Sequence, residues 1–286
     1  MAATLLKPYF NWVLGLMIYF IGDGADWPEE LPVTTLTHFI KPLRSLLLAG
    51  VAVVAISACA SNRMPSPDYS GMAAGQSQQT LGELTARYKN NPKDKGVAIH
   101  YAAALRAVGQ SQQAVAVLEI SMSQYPRDAD VNVAYAKALT AEGRFEQSLQ
   151  VLDNVIRPEA PDWNALLVKG ATLDQLGRNA EARVLYTQAL VFAPGEASIE
   201  ANMGLSYAMT SELPAAEQHL RRAVQMQGAT SRIRQNLALV VGLQGRFDEC
   251  RALYAAELPP EQVDSNMAYV RSLLTQQNRW DMIAKS

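Results

Sequence analysis

Few side chains in this sequence are of a type that carries out covalent or metal chemistry. The 286 residues include two cysteines, Cys59 and Cys250, and three histidines, His38, His100 and His219. No two of these histidines are three or four residues apart, so no helix would offer a histidine pair to a zinc ion. Glycine-rich phosphate loops, GxSxG and Cys-x-x-Cys are also absent from the sequence. We therefore predict that the protein is not an enzyme and needs neither a metal nor a cofactor.

The charge balance argues against a nucleic-acid partner. Lys and Arg total 25 against 27 Asp and Glu, which gives a net charge of −2, and no five basic residues follow one another. Proteins that bind nucleic acids usually carry a basic patch. Aromatic residues make up only 7% of the chain, and alanine, the strongest helix former, is abundant. The composition therefore favours close-packed helices over strands.

Cys59 is the cysteine for which the sequence predicts a modification. Basic residues within 41–44 precede an apolar run at 46–58, and the run ends in Ile56-Ser57-Ala58-Cys59. A basic segment, a short apolar segment and small residues before a cleavage site define a secretory signal. These four residues resemble the lipobox of bacterial lipoproteins. The resemblance implies that the Cys59 thiol is acylated, that cleavage makes Cys59 the new N-terminus, and that the acyl chains hold the protein on a membrane. The alternative is a buried helix that ends in a chance cysteine.

The first 74 residues divide into three predicted segments. We interpret 1–40 as an extension that precedes the true translation start, with an extra membrane helix at 9–22 as the alternative. Residues 41–59 are the predicted lipoprotein signal. Residues 60–74 are rich in Ser, Pro and Gly, which break helices and bury little surface, so we expect a flexible tether there.

A repeat of 34 residues runs through the remainder of the chain. Glycine recurs at this spacing, and one serine takes the missing position: Gly75, Gly109, Gly143, Gly177, Ser211 and Gly245. Five residues after each of these the side chain is small, at Thr80, Ala114, Ser148, Ala182, Ala216 and Cys250. Four residues further it is large and apolar, at Leu84, Leu118, Leu152, Tyr186, Leu220 and Tyr254. Thirty-four residues is the period of tetratricopeptide repeats (TPRs).

These columns predict an all-α, right-handed TPR superhelix of about five full repeats with capping helices over 75–286. Two helices approach closely where both carry small side chains, and the large apolar residues one turn away fill the space beside them. The glycine ends the first helix in a left-handed conformation. We place a half repeat at 75–94, full repeats at 95–128, 129–162, 163–196, 197–230 and 231–264, and a closing helix at 265–276 before a short tail.

The concave face of the superhelix is the predicted binding site. In TPR proteins it is lined by first-helix positions, which by register are Val133, Lys137, Leu167, Ala171, Asp174, Ala201, Asn202, Leu205, Gln235, Asn236, Leu239 and Leu243. Asn202 and Asn236 are equivalent, and in the TPR family this position can bond a peptide backbone, although Asn also occurs there without a ligand. We expect Leu205 and Leu239 to point away from the interhelix core. The largely apolar groove would suit an amphipathic or hydrophobic segment.

Residues 44–286 resemble a narrower family, the TadD lipoproteins of tight-adherence (Flp-type) pilus systems. The resemblance lies in 234–247 (RQNLALVVGLQGRF), 161–163 (PDW) and 202–208 (NMGLSYA), with 257–261 (ELPPE) and 266–269 (NMAY). It implies a lipid-anchored protein of the outer membrane that faces the periplasm and assembles the pilus secretion channel. Its partner would be the pilus secretin or another pilus protein. The alternative is a general periplasmic adaptor that recruits cell-wall enzymes.

Overall fold

The computed structural model describes Pro67, Tyr69 and residues 74–285 of the chain. The extension, the signal and Cys59 lie outside these residues. In the described part all regular structure is helical, and its twelve helices are α1 (Ala74–Asn90), α2 (Lys95–Ala107), α3 (Ser111–Gln124), α4 (Ala129–Ala141), α5 (Phe145–Asp153), α6 (Trp163–Gln175), α7 (Asn179–Phe192), α8 (Ala197–Met209), α9 (Leu213–Gln225), α10 (Ser231–Leu243), α11 (Phe247–Ala255) and α12 (Pro260–Lys285). No helix among them is both long and apolar enough to cross a membrane.

The helices pack as hairpins in two layers. Each helix contacts the next along the chain, and α2, α4, α6, α8 and α10 also contact one another in succession. We call these five the inner helices. Their hairpin partners, α3, α5, α7, α9 and α11, are the outer helices. Each inner helix therefore has neighbours on several sides, whereas each outer helix keeps one face towards solvent.

The turn of each hairpin has the left-handed conformation that the glycine spacing predicts. Gly109, Gly143, Gly177 and Gly245 have φ angles between +73° and +81°. At Gly177 the amide donates to the carbonyl of Asp174, and the next amide donates to that of Leu173, both at 2.9 Å. These bonds satisfy carbonyls that the helix end would otherwise leave without donors. Gly75 differs, because it lies inside the first turn of α1 rather than in a turn.

Small side chains bring the two helices of each hairpin together. Ala114, Ala182 and Ala216 are fully buried, and so are Ser148 and Cys250 in the same column. The inner helices are equally constrained at two glycines, since a Cβ atom added at Gly170 would lie 2.4 Å from Cε1 of Tyr186, and one at Gly204 would lie 2.8 Å from Cγ of Leu220. Larger residues could enter only if the helices moved apart. The columns predicted as interhelix contacts are therefore core positions.

The ends of two outer helices and of the chain depart from the regular pattern. Helices α5 and α11 have nine residues each, whereas α3 and α7 have fourteen. The predicted closing helix at 265–276 is too short, because α12 begins at Pro260 and continues to Lys285. Proline is tolerated at its start because the first amides of a helix have no intrahelical acceptor. Helix α12 packs on α10 and α11, where a further inner helix would lie.

Ser211 offers a direct test of the turn geometry. It is the one described non-glycine residue with a positive φ, at +64°. The left-handed conformation costs an ordinary residue about 1–2 kcal/mol, and glycine recovers part of this despite its greater freedom when unfolded. We therefore expect Ser211→Gly to raise the free energy of unfolding by roughly 0.5–1 kcal/mol in urea denaturation of the full chain.

Gly177→Ser is the reciprocal control. Nothing lies within 4 Å of a Cβ added at Gly177, whose φ is +73°, so the substitution changes backbone strain without a clash. It should lower the free energy of unfolding by a similar amount. Unchanged urea midpoints for both variants would contradict the argument from backbone conformation.

Candidate functional site

The inner helices, predicted to line a concave groove, are largely enclosed. Ten of the twelve predicted groove positions are buried, namely Val133, Lys137, Leu167, Asp174, Ala201, Asn202, Leu205, Asn236, Leu239 and Leu243, and the other two, Ala171 and Gln235, are half-buried. The expectation that Leu205 and Leu239 point away from the core is wrong. Both are only 1% exposed and belong to the hydrophobic cluster of the C-terminal repeats. The reason is that α8 packs on α7 and α9 and also contacts α6 and α10.

Asp174 is the centre of a buried network rather than part of an open groove. Its Oδ1 accepts hydrogen bonds from Asn179 Nδ2 and Ser206 Oγ, both at 2.7 Å, and its Oδ2 accepts one from Tyr186 Oη at 2.8 Å. The carboxyl group of α6 thereby joins α7 and α8. Burial raises the pKa of Asp174 to about 6, although the three hydrogen bonds oppose that rise. The same burial, together with the nearby Asp174, raises the pKa of Tyr186 well above its usual range.

The two equivalent asparagines differ in their hydrogen bonding. Asn202 Nδ2 donates to the carbonyl of Ser198 one turn earlier, at 2.8 Å. Asn236 is 5% exposed, and its Nδ2 finds no hydrogen-bond acceptor among the described residues. A buried amide donor without an acceptor costs about 1–3 kcal/mol. Among the described residues of α10, Asn236 is therefore a buried amide whose donor is left unsatisfied.

A second polar cluster joins three helices on the part-buried surface. The guanidinium of Arg183 lies 3.9 Å from the ring centroid of Tyr207, and that ring stacks on the His219 ring with the centroids 5.1 Å apart. His219 Nδ1 is 2.7 Å from a carboxylate oxygen of Glu200, and Arg222 donates to the same carboxylate. Burial alone would raise the pKa of Glu200, but the bonds from His219 and Arg222 outweigh it and lower the pKa.

Neither helical histidine has an acidic residue three or four positions away in the sequence, and tertiary contacts supply one to His219. Glu200 lies 19 residues before His219, on the other helix of the same hairpin. His100 has a different partner, since its Nδ1 is 2.7 Å from the hydroxyl of Tyr69, a residue of the predicted tether. Burial lowers the pKa of His100, and the charge of Arg87 adds to this effect. In the described chain no group of three or more His, Cys, Asp or Glu residues could hold a metal ion.

Comparisons with known proteins agree with this architecture. Residues 105–170 match the family model described as tetratricopeptide repeat. The structure resembles a thermophilic TPR protein from Thermus thermophilus at 21% identity and a TM-score of 0.54, over 64% of this chain and 98% of that one. It also resembles a tetratricopeptide repeat protein from Parabacteroides merdae at 12% identity and a TM-score of 0.56, over 70% of this chain and 77% of that one.

A third similar structure comes from a protein complex, the APC/C hetero-tetramer Cut9–Hcn1, at 14% identity and a TM-score of 0.54, over 73% of this chain and 41% of that one. No curated protein sequence matches the chain. At these identities the likeness establishes the fold, so the predicted all-α TPR superhelix is confirmed.

The buried Asp174 predicts an unusual pH dependence of stability. Its folded-state pKa of about 6 lies above the ordinary 3.8, so the folded protein binds this proton more tightly than the unfolded chain does. Its contribution to the free energy of unfolding should therefore rise as the pH falls from about 6 towards 3.8. In urea denaturation of wild type and Asp174→Asn, we expect the difference in midpoint to move in favour of wild type between pH 7 and pH 5.

Carboxyl groups with lowered pKa do not interfere in that window. Although burial opposes the shift, hydrogen bonds from Arg246, Gln244 and Arg221 lower the pKa of Glu217 to about 2, so its stabilisation is lost only below about pH 4.5. Glu142→Gln, at an exposed position, is the matched control for exchanging a carboxyl group for an amide. A midpoint difference that changes with pH equally for Asp174→Asn and for this control would contradict the raised pKa of Asp174.

Proposed function

We propose that this tetratricopeptide-repeat protein is a lipid-anchored scaffold that faces the periplasm and helps to assemble tight-adherence pili. In this proposal Cys59 carries the lipid, residues 60–74 form the tether, and the repeats bind the pilus secretin or another pilus protein. TPR solenoids are built from stacked hairpins that present an extended surface, which suits them to hold other proteins. The observation that carries the proposal is the lipobox-like Ile56-Ser57-Ala58-Cys59 directly ahead of this repeat domain.

The structure changes how the inner helices would take part. Leu205 and Leu239 lie in the core, so a partner would reach them only by separating packed helices. Asn236 is buried too, so a partner would also have to move packed side chains to reach it, but its amide is a donor without an acceptor among the described residues. The half-buried Gln235 is its neighbour in sequence on α10. Gln235 Nε2 already donates to Ser231 Oγ at 3.1 Å, which leaves its amide oxygen as an acceptor. Recognition of an extended segment by these two amides fits the inner layer better than the apolar groove predicted from register.

The proposed anchor can be tested at Cys59. Cys59→Ala removes the thiol that would be acylated, so the variant should take up no labelled palmitate and should remain unprocessed or soluble. The measurement is acyl labelling together with the N-terminal sequence of the mature protein. Cys250→Ala is the control, because Cys250 is buried in the repeat core and should not affect labelling. If wild type carries no label and retains residues 1–58, the protein is not a lipoprotein.

The proposed binding residue can be tested at Asn236. Removing a buried donor that pairs with a partner carbonyl should weaken binding by about tenfold or more. Because the donor has no acceptor among the described residues, Asn236→Ala should not lower the thermal midpoint of the free protein. The measurement is recovery of the secretin from membrane extract by the full-length variant, alongside pilus counts in cells.

Gln218→Ala on the exposed side of α9 is the matched control and should bind as wild type does. Equal secretin recovery by Asn236→Ala and normal piliation would contradict a role for the inner helices. Recovery of cell-wall enzymes in place of the secretin would favour the general adaptor function. These outcomes are distinguishable, because the first concerns the residue and the second concerns the partner.

A further inference from the structure

One outer helix, α7, carries three exposed large apolar side chains, whereas the outer helix α3 exposes one, Ile120, at 49%. On α7, Val184 is 56% exposed, Val191 is 74% exposed and Phe192 is 51% exposed. Seven residues make almost two full turns of a helix, so Val184 and Val191 lie in one row, and Leu185 and Phe192 lie in the row beside it. Exposed apolar side chains are ordinary when they are scattered singly, whereas contiguous ones indicate an interaction surface.

The repeat itself provides an internal comparison. The positions equivalent to Val184 hold Gln150 on α5 and Gln218 on α9, and Ala116 on α3. The position equivalent to Val191 holds Ser123 on α3 and Gln225 on α9. The position equivalent to Phe192 holds Gln124 on α3 and Met226 directly after α9. The TPR framework therefore does not require apolar residues at these exposed positions, and their clustering on α7 needs another explanation.

A pocket of about 330 Å³ opens beside the same stripe, between α5, α6 and α7. Its apolar lining comes from Leu149, Leu173, Val184 and Leu185. The pocket lies at the C-terminal end of α5, which stops at Asp153. Helix α3 is longer and ends at Gln124, a position that corresponds to Pro158 one repeat later. The other half of the lining is charged and comes from Asp153, Lys169, Arg178 and Glu181. An aromatic side chain is of a size to fill such a recess, where it would pack on the leucine and valine side chains.

The charges around the pocket are already paired within the chain. Lys169 is 2.5 Å from Asp153, and Arg178 is 2.6 Å from Glu181. Between Val184 and Val191 the exposed residues are Thr187 and Gln188, so the stripe itself carries no charge. The stripe therefore has no unpaired charge that would attract a strongly charged partner. A second copy of the same surface would not be repelled by like charges.

We propose that α7 pairs with α7 of a second copy of this chain in an antiparallel, two-fold symmetric contact. With the axis at Gln188, Phe192 of each copy lies opposite Val184 of the other, at the mouth of the pocket. Each copy then supplies both the ridge and the recess, which is the condition for a closed symmetric dimer. Gln188 meets its own equivalent on the axis, and an amide can pair with another amide because it both donates and accepts.

The dimer should be weak. A single helix face buries less than the roughly 800 Å² per partner that a stable complex needs. We therefore expect a monomer–dimer equilibrium that depends on concentration in the micromolar range or above. The measurement is sedimentation velocity of the full-length protein in detergent over a range of concentrations.

The test variant is Val184→Gln, Val191→Gln and Phe192→Gln together. Each substitution introduces a residue that an equivalent repeat position already carries, so the thermal midpoint should be unchanged. The dissociation constant of the dimer should rise by at least about tenfold. Wild type that stays monomeric at all concentrations, or a triple variant that dimerises equally well, would overturn the proposal. The first result would instead indicate that another protein covers the stripe.

Cross-linking locates the axis independently. In the Cys59→Ala background, Gln188→Cys should give a dimer with a short bismaleimide, because the two thiols would face each other. Ile120→Cys is the control, since Ile120 is the equivalent of Gln188 on α3 and is 49% exposed. Equal cross-linking at both positions would mean random collision and would also overturn the proposal.

Discussion

The close approach of two helices over small side chains is the interaction on which this solenoid depends. At Gly170 the ring of Tyr186 occupies the space in which any larger residue would place its Cβ atom. At Ala182, Ala216 and Cys250 the same closeness is reached with fully buried small groups. Each hairpin leaves an apolar face that only the neighbouring hairpins can cover. The short distance between the two helices therefore recurs in hairpin after hairpin along the chain.

Buried polar groups add specificity to that apolar framework. Thr140 Oγ1 bonds Ser148 Oγ at 2.8 Å and lies 2.9 Å from Thr172 Oγ1, which joins α4, α5 and α6. One repeat further along, Asp174 joins α6, α7 and α8. A shift of one helix past another would leave these groups buried without partners, at a cost of about 1–3 kcal/mol each. The two networks therefore fix the register of the central repeats.

The two layers of the solenoid offer different kinds of surface. The inner helices are enclosed by their neighbours, and on α10 they hold a half-buried amide at Gln235 beside the buried amide of Asn236. The outer helices keep a free face, which is polar on α9 and apolar on α7. Because the surfaces lie in separate layers, a bound chain on the inner side would leave the outer stripe available. One repeat domain could thus hold a partner and a second copy of itself together.

The helices, their turns and their core columns can be read from the sequence without the structure. These features are local, since a helix needs its own caps and its own apolar stripe, and both recur every 34 residues here. The N-caps of the inner helices are a second local signal with the same spacing, and they were not among the predicted features. Each of these side chains accepts a hydrogen bond from an amide at the start of its helix. They are Asp94, Asp128, Asp162, Glu196 and Thr230.

Which of these residues solvent can reach depends on tertiary packing. Leu205 and Leu239 occupy binding positions by register, yet the packing of α8 and α10 among their neighbours buries both. Glu200 and His219 are distant in sequence and meet only because their two helices fold into one hairpin. The recess beside α7 lies at the C-terminal end of α5 and is lined by residues of three helices. The 34-residue period determines which residue types each helix carries. The solvent exposure of a side chain depends on the lengths and positions of the neighbouring helices, and no single repeat encodes these.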